Sequence, residues 1–326
     1  MTLSKALPTA AHPALSGGQV QLSAGPAELV VAQVGASLRV LTVGGRHVLD
    51  GYGRDEIAAA AQGQVLVPWP NRLADGRYTV AGETLQVALS EPEKRNAIHG
   101  LARWADWQVV RHETARARLA HVIWPQAGYP FILALTIDYE LSEVGLTVTT
   151  TAVNAGERTL PYGVGFHPYL TVGTDRVDDA RLTLPARGRL VADDRGIPTD
   201  EVAPVAGTEY DFRAARQIGA TQLDTAFTEL ERDADGRAEL GLAGPDGRRV
   251  YVWMDRHHGW VMAFTGDGLP EPARRRRSLG IEPMTCPPNA FASGTGVCLL
   301  EPGAEHVSAW GIRWGDVAPP AGVRPS

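Results

Sequence analysis

Five short stretches set ionisable side chains beside rigid turns, and five residues in them stand out as candidates for chemistry: two histidines, one arginine and two carboxylates. In PWPNRLADGRY, Pro68–Tyr78, two prolines, Asn71 and Gly76 stiffen a loop that carries Arg72. An arginine held this way offers a fixed fork of donors to sugar or phosphate oxygens; the plain alternative is a surface arginine. In RNAIHGLARWADW, Arg95–Trp107, His99 stands between Ile98 and Gly100, and the glycine lets another group approach the backbone. In PYGVGFHPYL, Pro161–Leu170, His167 lies among apolar and aromatic residues ahead of Pro168. Either histidine could instead be a hydrogen-bonded core residue. In QLDTAF, Gln222–Phe227, Asp224 is a carboxylate among apolar neighbours, which needs partners or serves as a turn cap. In LGIEPMTCPPNAF, Leu279–Phe291, Glu282 is the one charge in thirteen residues. Such isolation raises a carboxyl pKa, the tuning of a catalytic acid or base, unless an arginine pairs with it structurally.

These residues suit several chemistries. A histidine and a glutamate can exchange protons with opposite ends of one small bond system. Asp224 and Glu282 could be the two carboxylates of a glycosidase. His99, His167 and Glu282 could ligate a metal, although no HExxH or HxH spacing supports that set. No GxSxG occurs, which argues against a nucleophile-elbow hydrolase. The GVGF run before His167 starts like a dinucleotide glycine pattern, but the last glycine is missing and Pro168 blocks the helix start. Four consecutive arginines, Arg274–Arg277, read either as a solvated loop or as an anion site for a sugar phosphate.

Composition narrows the field. The net charge is −6 over 326 residues, so no basic excess exists to neutralise a phosphate backbone and no nucleic-acid partner is expected. The two lysines, Lys5 and Lys94, neither follow a glycine-rich loop nor lie in an apolar segment, which excludes a Walker cradle and disfavours a Schiff base. The two cysteines, Cys286 and Cys298, cannot build a disulfide framework or a closed zinc site and read as thiols in a reducing compartment. The first twenty residues have no apolar stretch long enough for a secretion signal, and no run approaches a membrane span. A cytoplasmic protein without a membrane partner is expected.

The elements that must position these residues are strands. Leu146, Val148, Thr150 and Ala152 alternate with Thr147, Thr149, Thr151 and Val153; Val250–Met254 and His306–Trp314 alternate likewise. Further strands are expected near 28–34, 38–43, 64–68, 84–88, 106–112, 117–124, 132–140, 180–191, 238–243 and 260–264. Gly and Pro total 59 residues, and with Asn and Asp they separate most of these runs as turns. The best helix candidate is a short one, Asp55–Gln62. Strands that do not alternate with long helices argue against a doubly wound fold. One all-β domain is expected over residues 1–316, a large antiparallel β-sandwich with few short helices, with residues 317–326 as a flexible tail.

The five stretches, in this order, resemble the aldose 1-epimerases, or galactose mutarotases. Asn71 to Trp107 is similar to that family's N-terminal pattern, NR, then G-x-Y, a second glycine and HG. His167-Pro168-Tyr169 resembles its His-x-Tyr strand, Asp224 its isolated aspartate, and Glu282 with PPNAF its late glutamate and the residues after it. The resemblance implies a galactose mutarotase-like β-sandwich that interconverts the α and β anomers of a free sugar without metal or cofactor. It implies Glu282 as base, His167 as acid, and Arg72, His99 and Asp224 as the substrate-binding set. PWPNR, HGLA and EPMTCPP depart from the family's best-known pattern and bear on sugar preference. Hexose-6-phosphate epimerases are the nearest alternative, and a non-catalytic carbohydrate-binding module is the alternative of another class.

Overall fold

The computed structural model describes residues 14–315, so the expected tail and the N-terminal thirteen residues lie outside the described residues. Alternation produces what it predicts. In Leu133–Leu141 and Gly145–Asn154 every second residue is buried, and the two strands pair antiparallel along their whole length. They sit in a nine-stranded sheet whose order is Gln108–His112, Arg116–Ile123, Leu133–Leu141, Gly145–Asn154, Glu305–Trp314, Arg249–Met254, Ala238–Ala243, Arg181–Thr183, Arg216–Gln217.

A second sheet of eight strands runs Pro198–Pro204, Ala186–Ala192, Asp224–Leu230, Trp260–Phe264, Leu279–Met284, Gly165–Phe166, Val65–Leu66, with Tyr169–Leu170 also paired to Leu279–Met284. Its Phe166 ring meets Trp310 of the first sheet, centroids 4.9 Å apart, in the core between the layers. A smaller sheet, Gln19–Ala24, Ala27–Ala32, Ser37–Val43 and Arg46–His47, adds to the same core through Leu29, Val31 and Leu41. The molecule is a large antiparallel β-sandwich, as the sequence implies.

Three details differ from expectation. Asp55–Gln62 is not a helix: it folds into a 3-10 turn at Ala59–Ala61, in which Ala60 takes φ 47°. Gln62 instead serves tertiary contacts, accepting from Ser37 Oγ at 2.8 Å and donating to the Asp50 carbonyl at 3.1 Å. A segment this short cannot hold a helix against such competition. The stretch 180–191 is two strands in different sheets, Arg181–Thr183 and Ala186–Ala192, with Leu184-Pro185 carrying the chain across. The one α-helical segment among the described residues is Ala290–Ser293. Both cysteines are free thiols, as expected. No helix among the described residues is long and apolar enough to cross a membrane.

Candidate active site

The register of the eight-stranded sheet sets the site. Leu279–Met284 is buried at every position: strands cover both its edges, Leu279 and Ile281 face the core, and Glu282 faces the enclosed site. On one edge it meets two short strands, pairing Met284 with Gly165 and Gly280 with Tyr169. Both pairs sum to 449, so the interrupted position between them, His167, falls opposite Glu282. Directly opposed residues of an antiparallel pair point to one face, with Cβ atoms about 4.5–5.5 Å apart. His167 Nε2 accordingly lies 3.2 Å from Glu282 Oε1. Pro283 is tolerated in this central strand because the ladder is broken beside it.

The neighbouring row builds the floor. Asp224 opposes Phe264, which opposes Gly280, which opposes Tyr169. Gly280 contributes no side chain, and a Cβ there would lie 3.5 Å from His167 Cε1 and 3.3 Å from Phe264 Cβ. Tyr169 stacks on the His167 ring, centroids 4.9 Å apart at 13°, and donates its hydroxyl to the Ala60 carbonyl at 3.0 Å.

A second ladder brings in the N-terminal residues. Arg72 opposes Ile98 in the pair Arg72–Ala74 with Asn96–Ile98, which places Asn71 opposite His99. Each takes a left-handed backbone, φ 54° and 63°. The His99 N–H donates to the Asn71 carbonyl at 2.9 Å, and the Asn71 N–H donates to His99 Nδ1 at 3.2 Å. An Nδ1 that accepts a hydrogen bond places the proton of the neutral ring on Nε2. Burial, with His167 and two arginines nearby, pushes His99 well below its usual pKa and keeps the ring neutral. Gly100 is held against the Val67 carbonyl, where a side chain would collide with backbone.

The result is one cavity of about 180 Å³ lined by all five expected residues, Arg72, His99, His167, Asp224 and Glu282, together with Arg103, Tyr169 and Phe264. Glu282 and His167 are 2% and 4% exposed, and Glu282 Oε2 is buried with no hydrogen-bond partner among the described residues, an acceptor open to a ligand or a water. Burial pushes the Glu282 carboxyl up to about 8, with Asp224 adding and Arg72 opposing. Burial pulls His167 down to about 3. The two shifts run in opposite directions, and both favour the uncharged forms, a carboxylic acid beside a neutral imidazole, at neutral pH.

Arg72 does not offer its whole fork. Its Nε and Nη2 grip both oxygens of Glu91 at 2.8 and 2.9 Å, and Asn96 donates to the same carboxylate at 2.9 Å. Only Nη1 is turned toward Asp224 Oδ2, 3.9 Å away. Burial pushes Glu91 up, but the Arg72 fork and Asn96 outweigh it and leave the carboxyl below its usual range. Glu91 was invisible in the sequence, since nothing there tied it to a residue nineteen positions away. Replacing Glu91 by glutamine removes a charge-assisted pair and is expected to lower kcat/KM about 10- to 150-fold, chiefly through KM, as substrate titrations would show. An unchanged KM would make Glu91 a fold residue only.

The arginine run lies elsewhere. Arg274 pairs with Glu271 and Glu56, and Arg277 with Asp50. Arg276 is buried against Asp178 and Asp267, each at 2.7 Å. Arg275 donates to the Leu269 carbonyl at 2.6 Å. None of the four lines the cavity. Among the described residues no three His, Cys, Asp or Glu side chains converge to hold a metal ion.

Solved structures share this architecture. A GalM/aldose epimerase homologue of C. elegans superposes with TM-score 0.82 at 18% identity, over 92% of this chain and 99% of that one. A galactose 1-epimerase of Lactobacillus acidophilus superposes with TM-score 0.77 at 20% identity, over 90% and 92%. The sandwich with its sheet-borne cavity is thus a galactose mutarotase-like fold. The aldose 1-epimerase family model matches residues 18–313, and the chain belongs to that family. It is 36% identical over 292 residues to the uncharacterized protein YihR of Escherichia coli K12, covering 89% of this chain and 91% of that one. It is 28% identical over 279 residues to the aldose 1-epimerase of the same organism, covering 77% and 79%.

Proposed function

We propose that this chain interconverts the α and β anomers of an aldose by acid–base opening and reclosing of the hemiacetal ring. The observation that carries the reading is the buried His167–Glu282 pair, 3.2 Å apart in one cavity with Arg72, His99 and Asp224. Ring opening needs one base at the C1 hydroxyl and one acid at the ring oxygen. With one proton on the pair, carried by His167, Glu282 takes the hydroxyl proton while the imidazolium protonates the ring oxygen. That leaves glutamic acid beside neutral imidazole, the state burial favours, and this state closes the ring again once the C1–C2 bond has turned. Each positioned partner typically contributes 10²–10⁴-fold. Arg72, His99 through Nε2–H, and Asp224 bind the remaining hydroxyls. A binding module would need neither the proton pair nor its burial.

Polarimetry of freshly dissolved aldoses, with the uncatalysed rate subtracted, tests the reading; a sugar panel whose equilibration the protein leaves unchanged would sink it. The pH profile is a second test. Glu282 loses the shared proton near pH 8, after which the pair has no acid. Since kcat/KM reports the free enzyme, it should be level at neutral pH and fall about tenfold per unit above roughly pH 8. A profile still rising at pH 9 contradicts the one-proton pair.

A further inference from the structure

The electrostatics of the cavity are lopsided. At the Glu282 end, Asp224 and Arg72 are the charges that act on the carboxyl, and Arg72 is itself neutralised by Glu91. Beside the histidines stands Arg103, whose charge bears on both His99 and His167, while Arg72 acts on His99 more weakly. Its guanidinium has no carboxylate partner among the described residues, and burial alone pulls its pKa down. It rests instead on the face of Trp104, 5.0 Å from the ring centroid. The backbone beneath is anchored, because Gln64 Nε2 donates to the Arg103 carbonyl at 2.6 Å. A half-buried cation with fixed footing and no counter-charge, lining a ligand cavity, is a preorganised anion site.

We propose that Arg103 makes this site selective for an aldose that carries an oxyanion at C6. The placement follows from the reaction. His167 serves the ring oxygen, and the carbon on the far side of that oxygen from C1 is C5, which bears C6. The substituent at C6 therefore projects toward the histidine end, where Arg103 stands. A planar carboxylate, as in a hexuronate, or a tetrahedral oxyanion, as in a 6-phosphorylated hexose, would supply the missing charge. The phosphate reading of the sequence thus moves from Arg274–Arg277, none of which lines the cavity, to a residue the sequence did not single out. This inference rests on the mutarotase reading for its orientation of the sugar.

The test compares glucose, glucuronate and glucose 6-phosphate with the wild-type chain and with Arg103→Met. Mutarotation is followed by polarimetry, and binding by calorimetry. The wild type should favour at least one anionic sugar over glucose, and which one distinguishes carboxylate from phosphate. In Arg103→Met the anionic-to-neutral ratio of kcat/KM should fall roughly 10- to 150-fold, the scale of a charge-assisted hydrogen bond, and Arg103→Lys should recover part of it. Rising salt should weaken only the anionic arm. A wild type that prefers glucose, or an unchanged ratio in Arg103→Met, overturns the proposal. Tight, Arg103-dependent binding of an anionic sugar without turnover would remove the mutarotase reading and sustain this one; turnover confined to neutral sugar would do the reverse.

Discussion

Replacing Glu282 by glutamine is expected to lower kcat at least ~100-fold while the chain folds normally. The amide matches the carboxyl in shape and fills the same buried position opposite His167, so no cavity opens. It cannot take a proton from a C1 hydroxyl. The same variant has a stability readout. The folded chain keeps the Glu282 proton to about pH 8, against an ordinary value of 4.5, so it binds more protons than the unfolded chain between those limits. Stability contributed by this group is therefore complete below the lower value and is lost as pH rises through the upper one. The glutamine variant has no such loss. Its melting temperature, relative to wild type, should rise between pH 5 and pH 8.5, as circular dichroism would show. Wild-type turnover in this variant would exclude Glu282 as the base.

His167→Asn should be as damaging, with a fall in kcat of about 10²–10⁴-fold. Asparagine can still hydrogen-bond within the row, but it can neither hold the shared proton nor pass it to a ring oxygen. Its amide cannot reproduce the ring stacked on Tyr169 or edge-on to His99, so some loss of stability should accompany the loss of rate. Kinetics separates the two, because the loss of kcat should persist at 10 °C, where the folded fraction is complete. If KM rises and kcat survives, His167 binds the sugar rather than acting on it. Arg72→Ala and Asp224→Asn should fall mainly on KM, and since both charges bear on the Glu282 carboxyl, the alkaline limb of the pH profile should move up in the first and down in the second.

Much of this molecule was readable from its residues because the signals are local. Alternation in Leu133–Leu141 and Gly145–Asn154 reports a strand with one face more buried than the other, and needs only a few neighbours to be seen. The isolation of Glu282 in an uncharged stretch foretold its burial and its raised pKa. The ordered stretches around Arg72, His99, His167, Asp224 and Glu282 identified the five residues that meet in one cavity. Tertiary structure alone decided the rest. Leu279–Met284 does not alternate, because both faces are covered, so its strand is invisible to a periodicity of two. The opposition of His167 and Glu282 is a matter of register between segments more than a hundred residues apart, and no local pattern encodes register. Asp55–Gln62 has the composition of a helix but is bent into a turn by contacts to Ser37 and Asp50. Arginines look alike in sequence; which guanidinium keeps its charge free depends on the carboxylates that folding brings within reach. Folding engages three of the Arg274–Arg277 run with carboxylates and gives Arg72 to Glu91, and it leaves Arg103 facing the cavity with no carboxylate partner among the described residues, because burial and distance, not composition, set where a charge is compensated.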